Sequence, residues 1–460
     1  LSAVKCISPQ SVNLVFYYPR YVVISLCSDY NGQNTMMEFI RFKRGQQQAK
    51  YIRLEPQFEG NAFLPQYAMI PLAFREQTSG LPLVSVGDFV NEGQMIARAR
   101  NSLSAHVHAS VPGVVSGIID TQLPNGHSFR GIHIRTGGSF DILGKQRSPY
   151  PWKQSDPTGL LHFFDLAGLV NTAEKTTALA ENIRMAVKQG ITTLTVMLYD
   201  KDPTCILDSF LARRFIREVA EGAGIIARAM GATKIIVETG MEKKDRALFD
   251  AVGTAIPDRD LAHLTVPQTY PAGNAHTRSA EKNAVVIDSS TALSVYESVQ
   301  YNQPMLTTYL LLTGKTLEHA KVVKVRIGTP IGHLIEECGG FKSKNTHIIL
   351  NGLLRGTLVD SLDLPAGKGI KSIHAVGKDI DIQQQLEECG HCGQCLRSCP
   401  AYIDPIDTVR RIQKKRYDAE TMRSIALCSG CGCCSAVCPV RIPLRTIITS
   451  AAEQGNSHAL

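Results

Sequence analysis

The sequence predicts a multidomain α+β chain, and three observations carry that expectation. Short apolar runs broken by Gly and Pro fill residues 57–144. Strand and helix patterns alternate over residues 155–283, and strand-like runs return over residues 284–356. A helical, cysteine-rich tail then occupies residues 379–450. A chain of 460 residues is long enough for each segment to bury its own core.

Residues 1–56 read as an extension with no assigned function. The chain starts at Leu1, whereas Met36 and Met37 stand just before EFIRFKRGQQQ, so the first 35 residues read as lying upstream of a start. The run SVNLVFYYPRYVVISLC is broken by Pro19 and Arg20 and has no basic start or small-residue cleavage site. It is neither an anchor nor a signal peptide by that pattern. No apolar stretch reaches the roughly 18–20 residues of a membrane helix.

In residues 57–144, VSVGDFVNEGQMIARA sets short apolar runs around Gly87, Asp88 and Gly93, and SAHVHASVPGVVSGIID repeats the device at Gly113 and Gly117. Short strands at such intervals predict a sandwich or barrel. The pair resembles the barrel-sandwich fold of lipoyl and biotinyl carriers, but ARARNSLSAHVHASVPG has no lysine for a swinging arm, so a structural domain is expected. His106 and His108 share a strand face at spacing two; with no third ligand in view, a metal site there is disfavoured.

Over residues 155–283, ITTLTVML reads as a strand, FLARRFIREVAEGAGIIARAMGA as a helix ending at Gly231, and TKIIVETG as the next strand. That order predicts a parallel crossover unit. Over residues 284–356, AVVIDS, LTTYLLLTG, AKVVKVRIGTP and THIILNG read as strands, with helical spacing only in GHLIEECGG, through Leu334, Ile335 and Cys338.

Nine of the thirteen cysteines lie between Cys389 and Cys438. Such clustering in a long chain reads as metal ligation in a reducing compartment rather than a disulfide framework. CGHCGQCLRSCP sets Cys389, Cys392, Cys395 and Cys399 in the order C-x2-C-x2-C-x3-C-P, and CSGCGCCSAVCP repeats it with Cys428, Cys431, Cys434 and Cys438. Three thiolates at spacing three wrap one cubane, and the fourth, expected to start a helix, reaches the other. The crossed rule gives Cys389, Cys392, Cys395 and Cys438 to one [4Fe–4S] cluster and Cys399, Cys428, Cys431 and Cys434 to a second. A pair of zinc sites also uses C-x2-C, but gives no reason for the repeated third cysteine and C-P ending. Cys433 is read as a small packed residue, and Cys6, Cys27, Cys205 and Cys338 as buried hydrophobes.

Between the runs, IDTVRRIQKKRYDAETMRSIAL has helical spacing, with Val409, Ile412 and Met422 facing inward. Arg410, Arg411, Lys414, Lys415 and Arg416 crowd its polar side. They fit an acidic redox protein or lipid headgroups, although a solvated helix face is the simpler reading. The net charge of +8 does not by itself indicate nucleic acid.

From about Leu64 onward these motifs resemble the RnfC family, the C component of the Rnf electron transport complex, a membrane-associated ion-translocating oxidoreductase. PLVSVGDFVNEGQMIA and HASVPGVVSGI are similar to its barrel-sandwich motif, TGKTLEHAKVVKVRIGTPIGHLIEECGG to its β-grasp soluble-ligand-binding domain, and the cysteine runs with VRIPL to its ferredoxin domain. The cobalamin reductase of propanediol-utilisation microcompartments shares the layout. The resemblance implies an α/β domain like the flavin-binding part of complex I at residues 155–283, a β-grasp domain at 284–356 and a two-cluster ferredoxin domain at 379–450. It further implies other Rnf-type membrane subunits as partners, a soluble redox protein such as ferredoxin, no nucleic acid, and a peripheral position at the cytoplasmic face of the inner membrane. On that reading the chain is enzymatic only as part of a redox-driven translocase. A soluble flavin-dependent reductase like the cobalamin enzyme is the alternative.

Flavin is where this sequence departs. The family carries a GxGGAGFPT-type loop for FMN phosphate, whose glycines let backbone N–H groups close on an anion. Here AGLV at 167–170 is followed by NTAEKTTALAENIR, with no glycine and an added Glu174. The family's NGAECEP is MLYDKDP, where Asp200 and Asp202 are poor substitutes, and its GGPMMG is NGLLRG at 351–356. The expectation is two [4Fe–4S] clusters with FMN doubtful.

Overall fold

The computed structural model describes residues 56–74, 79–101, 104–122, 128–145, 147–240, 246–256, 259–266, 270–271, 283–343, 346–377 and 388–455, together with four N-terminal strands. Those strands, Phe16–Tyr18, Tyr21–Leu26, Met36–Lys43 and Gln46–Lys50, pair antiparallel in sequence order. The chain divides into two compact units, one of residues 56–267 with 272–380, the other of 1–55, 268–271 and 381–460.

The larger unit begins with two facing sheets. Tyr67–Pro71, Ser128–Thr136, Gly113–Gln122 and Phe89–Val90 form one, in the order given; Val107–His108, Met95–Arg98 and Leu81–Pro82 form the other. Alternation along the strands sends Ile70, Val90, Ile96, Val115, Ile132 and Ile134 into a common core, all fully buried. This is the expected barrel-sandwich arrangement.

A parallel four-stranded sheet follows, ordered Asp260–Thr265, Lys234–Thr239, Thr193–Met197, Ala284–Asp288. Three of its strands bury apolar residues such as Leu194, Val196, Ile235, Val237 and Ile287, whereas the edge strand Asp260–Thr265 is largely exposed. The helix Ile216–Met230 ends where Gly231 turns left-handed and returns its N–H to the carbonyls of Ala227 and Arg228. Gly222 of this helix meets Ser289–Gln300 so closely that a Cβ there would sit 1.9 Å from the Ala292 carbonyl oxygen.

The third layer is a mixed six-stranded sheet, ordered Thr357–Val359, Thr346–Leu350, Ser372–Gly377, Thr307–Thr313, Lys321–Arg326, Gln57–Asn61. The helix Ile331–Glu337 packs on it through Ile331, Leu334 and Ile335, in one core with Cys338.

Three expectations about extent need correction. Ala284–Asp288 belongs to the parallel sheet, paired with Thr193–Met197, rather than opening the third layer. Ser289–Gln300 is a second helix in that region, capped by the Asp288 carboxylate on the Thr291 N–H. Gln57–Asn61 pairs with Lys321–Arg326, and Ser372–Gly377, beyond residue 356, lies inside the third sheet. These pairings join residues far apart in sequence, where local pattern carries no signal.

In the smaller unit, residues 388–455 form the helices Gln394–Ser398, Pro405–Gln413, Ala419–Leu427, Cys433–Ala436 and Leu444–Gly455. The segment between the cysteine runs is two helices rather than one. Lys415 has a left-handed backbone, and Asp418 caps the second helix at the Thr421 N–H. Val409 is buried and Ile412 packs against the core, but Met422 is 41% exposed, because the second helix turns Thr421 and Ile425 inward. Among the described residues no helix is long and apolar enough to cross a membrane.

Candidate iron–sulfur centre

Both cysteine runs fold alike. Gly393 and Gly432 adopt left-handed backbones (φ +68° and +79°) and start the short helices Gln394–Ser398 and Cys433–Ala436. A side chain would strain each turn. The third ligand-candidate cysteine, Cys395 or Cys434, therefore lies on the helix. The fourth ends it: Cys399 is the C-cap of the first helix, and Cys438 follows the C-cap Val437 of the second. Sequence had the fourth cysteine starting a helix. Pro400 and Pro439 stop the helix there instead, since proline excludes the α conformation of the residue before it.

A small cavity, partly open to solvent, is lined by Cys399 from the first run and by Cys428, Cys431 and Cys434 from the second. One fourth cysteine thus meets three from the other run. On the reciprocal side, the Cys395 thiol lies within electrostatic reach of Cys438 and Cys392. Cys392 is exposed and Cys389 and Cys395 half-buried, whereas Cys399, Cys431, Cys434 and Cys438 are buried.

Burial pushes the thiols up, Cys395 to about 11, and Cys399, Cys428 and Cys434 likewise upward. Backbone N–H groups oppose this by favouring the thiolate. Cys399 receives those of Ile403, Ala401 and Tyr402, and Cys428 that of Gly430. The Ile442 N–H donates to Cys438 Sγ at 3.4 Å. These donors are placed to hold sulfur in its anionic, metal-binding form.

Residues distant in sequence brace the loops. The hydroxyl of the buried Tyr270 donates to the Cys431 carbonyl. Arg445 Nε donates to the Gly430 carbonyl at 3.0 Å, and Arg397 donates to the Cys392 carbonyl at 2.8 Å. Cys433 is 1% exposed, as a packed residue should be. Cys205 and Cys338 are buried, and Cys6 and Cys27 lie outside the described residues.

Among the described residues no three His, Cys, Asp or Glu side chains converge on a single-ion site. His106 Nδ1 accepts the Ala99 N–H at 3.2 Å, and burial holds His108 down to about 3.

The loops where the flavin motif has changed are tied to one another. Thr172 N–H donates to Thr291 Oγ1 and Ala173 N–H to Asn171 Oδ1, each at 3.0 Å. Glu174 pairs with Lys201 at 2.9 Å, and Lys368 Nζ donates to the Gly168 carbonyl at 2.6 Å. Asp202 accepts the N–H groups of Thr204, Leu354 and Arg355, clamping 351–356 against 200–204. Asp200 accepts those of Asp208 and Ser209. Beneath them Lys371 Nζ bridges Asp208 at 2.6 Å and Asp288 at 2.5 Å. As sequence, Asp200 and Asp202 look like weak replacements; in the fold they are buried carboxyls that accept backbone N–H groups.

Residues 385–442 match the 4Fe-4S dicluster domain, which supports iron–sulfur clusters in this segment. Residues 49–139 match the RnfC barrel sandwich hybrid domain. The C component of the ion-translocating oxidoreductase complex of Rhodobacter capsulatus is 28% identical over 76% of this chain and 70% of its own length. The corresponding component of the Na(+)-translocating ferredoxin:NAD(+) oxidoreductase complex of Acetobacterium woodii is 24% identical over 77% and 83%. Its counterpart in the proton-translocating complex of Clostridium ljungdahlii is 25% identical over 74% and 78%. Over about three quarters of its length the chain is thus similar to C components of Rnf-type complexes.

Proposed function

We propose that this chain is the electron-transfer subunit of a membrane-associated, Rnf-type ion-translocating oxidoreductase, relaying electrons through two [4Fe–4S] clusters without an FMN or NADH site of its own. The observation that carries this is the cavity lined by Cys399, Cys428, Cys431 and Cys434. It supports those four as ligands of one cluster, and Cys389, Cys392, Cys395 and Cys438 as ligands of the other. The clusters supply one-electron redox capacity; the chain binds them, donates N–H groups to their sulfurs and limits water around them. The parallel sheet corresponds, on this reading, to the flavin-binding-like domain of the family, and the mixed six-stranded sheet to its β-grasp domain.

Loss of flavin is supported by where the backbone donors go. An anion site needs free N–H groups at a close approach. Here those of Thr172, Ala173, Leu354 and Arg355 are bonded to the chain's own side chains. Other Rnf-type subunits would hold the chain at the cytoplasmic face of the membrane. A soluble redox protein such as ferredoxin is a further partner, for which the exposed Lys414 and Lys415 offer positive charge.

Acid-released flavin, assayed on anaerobically purified protein, tests the reading alongside co-purification with membrane-embedded subunits. The expected result is flavin far below one per chain and retention with the membrane subunits. Stoichiometric FMN in protein that purifies alone would reverse the assignment in favour of a soluble flavin reductase.

A further inference from the structure

The cavity bounded by Cys399, Cys428, Cys431 and Cys434 has one charged residue in its lining, Arg445. The other non-cysteine residues there, such as Pro400, Ile403, Ser429 and Ile448, carry no charge. Arg445 is fixed at two points on the second cysteine run. Its side-chain Nε donates to the Gly430 carbonyl at 3.0 Å, and its backbone N–H donates to Ser435 Oγ at 2.9 Å. It also stands at the second residue of the helix Leu444–Gly455, whose Leu444 and Ile448 are 1% exposed in the core beside the cysteines. The guanidinium therefore has little freedom to swing into solvent.

We infer that Arg445 sets the reduction potential of the cluster held by Cys399, Cys428, Cys431 and Cys434, raising it by favouring the reduced state. This deepens the two-cluster reading and rests on it. A thiolate-bound cluster that accepts one electron gains one negative charge. Arg445 is partly buried, and a fixed, partly buried cation stabilises that added charge more than a freely solvated one does. The electron comes from the donor, no bond forms or breaks, and no proton is required. Arg397, at the first run, is exposed, so water screens its charge. The effect of Arg445 should accordingly be confined to one of two redox steps.

Full-length protein carrying Arg445→Gln or Arg445→Lys would be reconstituted anaerobically and titrated with dithionite, with each cluster followed by its paramagnetic resonance signal. Arg445→Gln is expected to weaken electron uptake at one step by about tenfold, which is about 59 mV for a one-electron couple, and to leave the other unchanged. Arg445→Lys, which keeps the charge, is expected to stay within about threefold of the parent protein. Unmoved potentials in a glutamine variant that holds both clusters would overturn the inference, as would equal shifts of both steps. A lysine variant shifted by tenfold or more would do so independently, even if the glutamine variant failed to load. Failure of the parent chain to bind two clusters would instead remove the underlying two-cluster reading.

Discussion

Asp208 shows how one side chain records the history of a site. It is 2% exposed beside Asp288 and shares the ammonium of Lys371 with it. Burial pushes its carboxyl up to about 7 against the pull of Lys371. Asp288 feels the same burial, yet Lys371 holds it below the usual carboxylate range, while the two carboxylates hold Lys371 above its own. Asp208 is thus the carboxyl whose proton the fold holds more tightly than the unfolded chain does. Its folded value lies above the unfolded value of about 3.9, so its contribution to stability is complete below about pH 4 and is lost as pH rises through about 7. Thermal melts of the parent and of Asp208→Asn across that window isolate this contribution from the buried histidines, whose lowered values act in the opposite sense. The stability of the parent relative to Asp208→Asn should fall as pH rises, and a difference that does not change with pH would discard this explanation. None of this was legible in the sequence, because the residues are separated by 80 positions or more. The eight cysteines were legible, because their spacing is local and the chemistry depends on it. Arg445 and Tyr270 were not, since each braces a cysteine loop from outside the repeat.

Most helices and strands with strong periodicity stand where the pattern put them, but the single helix read over 210–232 is two, Leu207–Arg214 and Ile216–Met230, broken at Phe215, and the errors fall at such junctions. Ser289–Gln300 was missed because Ser289, Thr291 and Ser298 dilute its buried stripe, although Asp288 supplies a recognisable cap three residues before Thr291. The split between Pro405–Gln413 and Ala419–Leu427 was hidden by a charge-rich stretch that suits either a helix or a turn. Its basic crowd is also less available than sequence suggested. Arg411 is paired with Asp407, Asp418 and Glu420, and Arg416 with Asp418. Surface pairs of this kind contribute little to stability but do neutralise a docking face. Packing between helices makes a sharper demand. Gly222→Ala would drive a methyl into the Ala292 backbone, which cannot yield as a flexible side chain would. The expected cost is about 1–3 kcal/mol, measured by denaturant unfolding of the larger unit's transition. A neutral result would mean that the two helices do not meet as described.

Along the full chain the changes are uneven. The dicluster region keeps both cysteine runs and the N–H donors that favour thiolate. The loops at 167–175, 200–204 and 351–356 are bonded to one another through carboxylates, lysines and backbone. On the proposed reading the chain carries single electrons without a flavin cradle of its own. That role depends on sulfurs from both runs crossing to build two clusters. The decisive assay counts iron and labile sulfide after anaerobic reconstitution of the full chain, beside Cys438→Ala and Cys433→Ala. About eight irons are expected in the parent and in Cys433→Ala, and about four in Cys438→Ala with the cluster of the first run missing. About eight irons retained by Cys438→Ala, or about four in the parent, would refute the crossed arrangement.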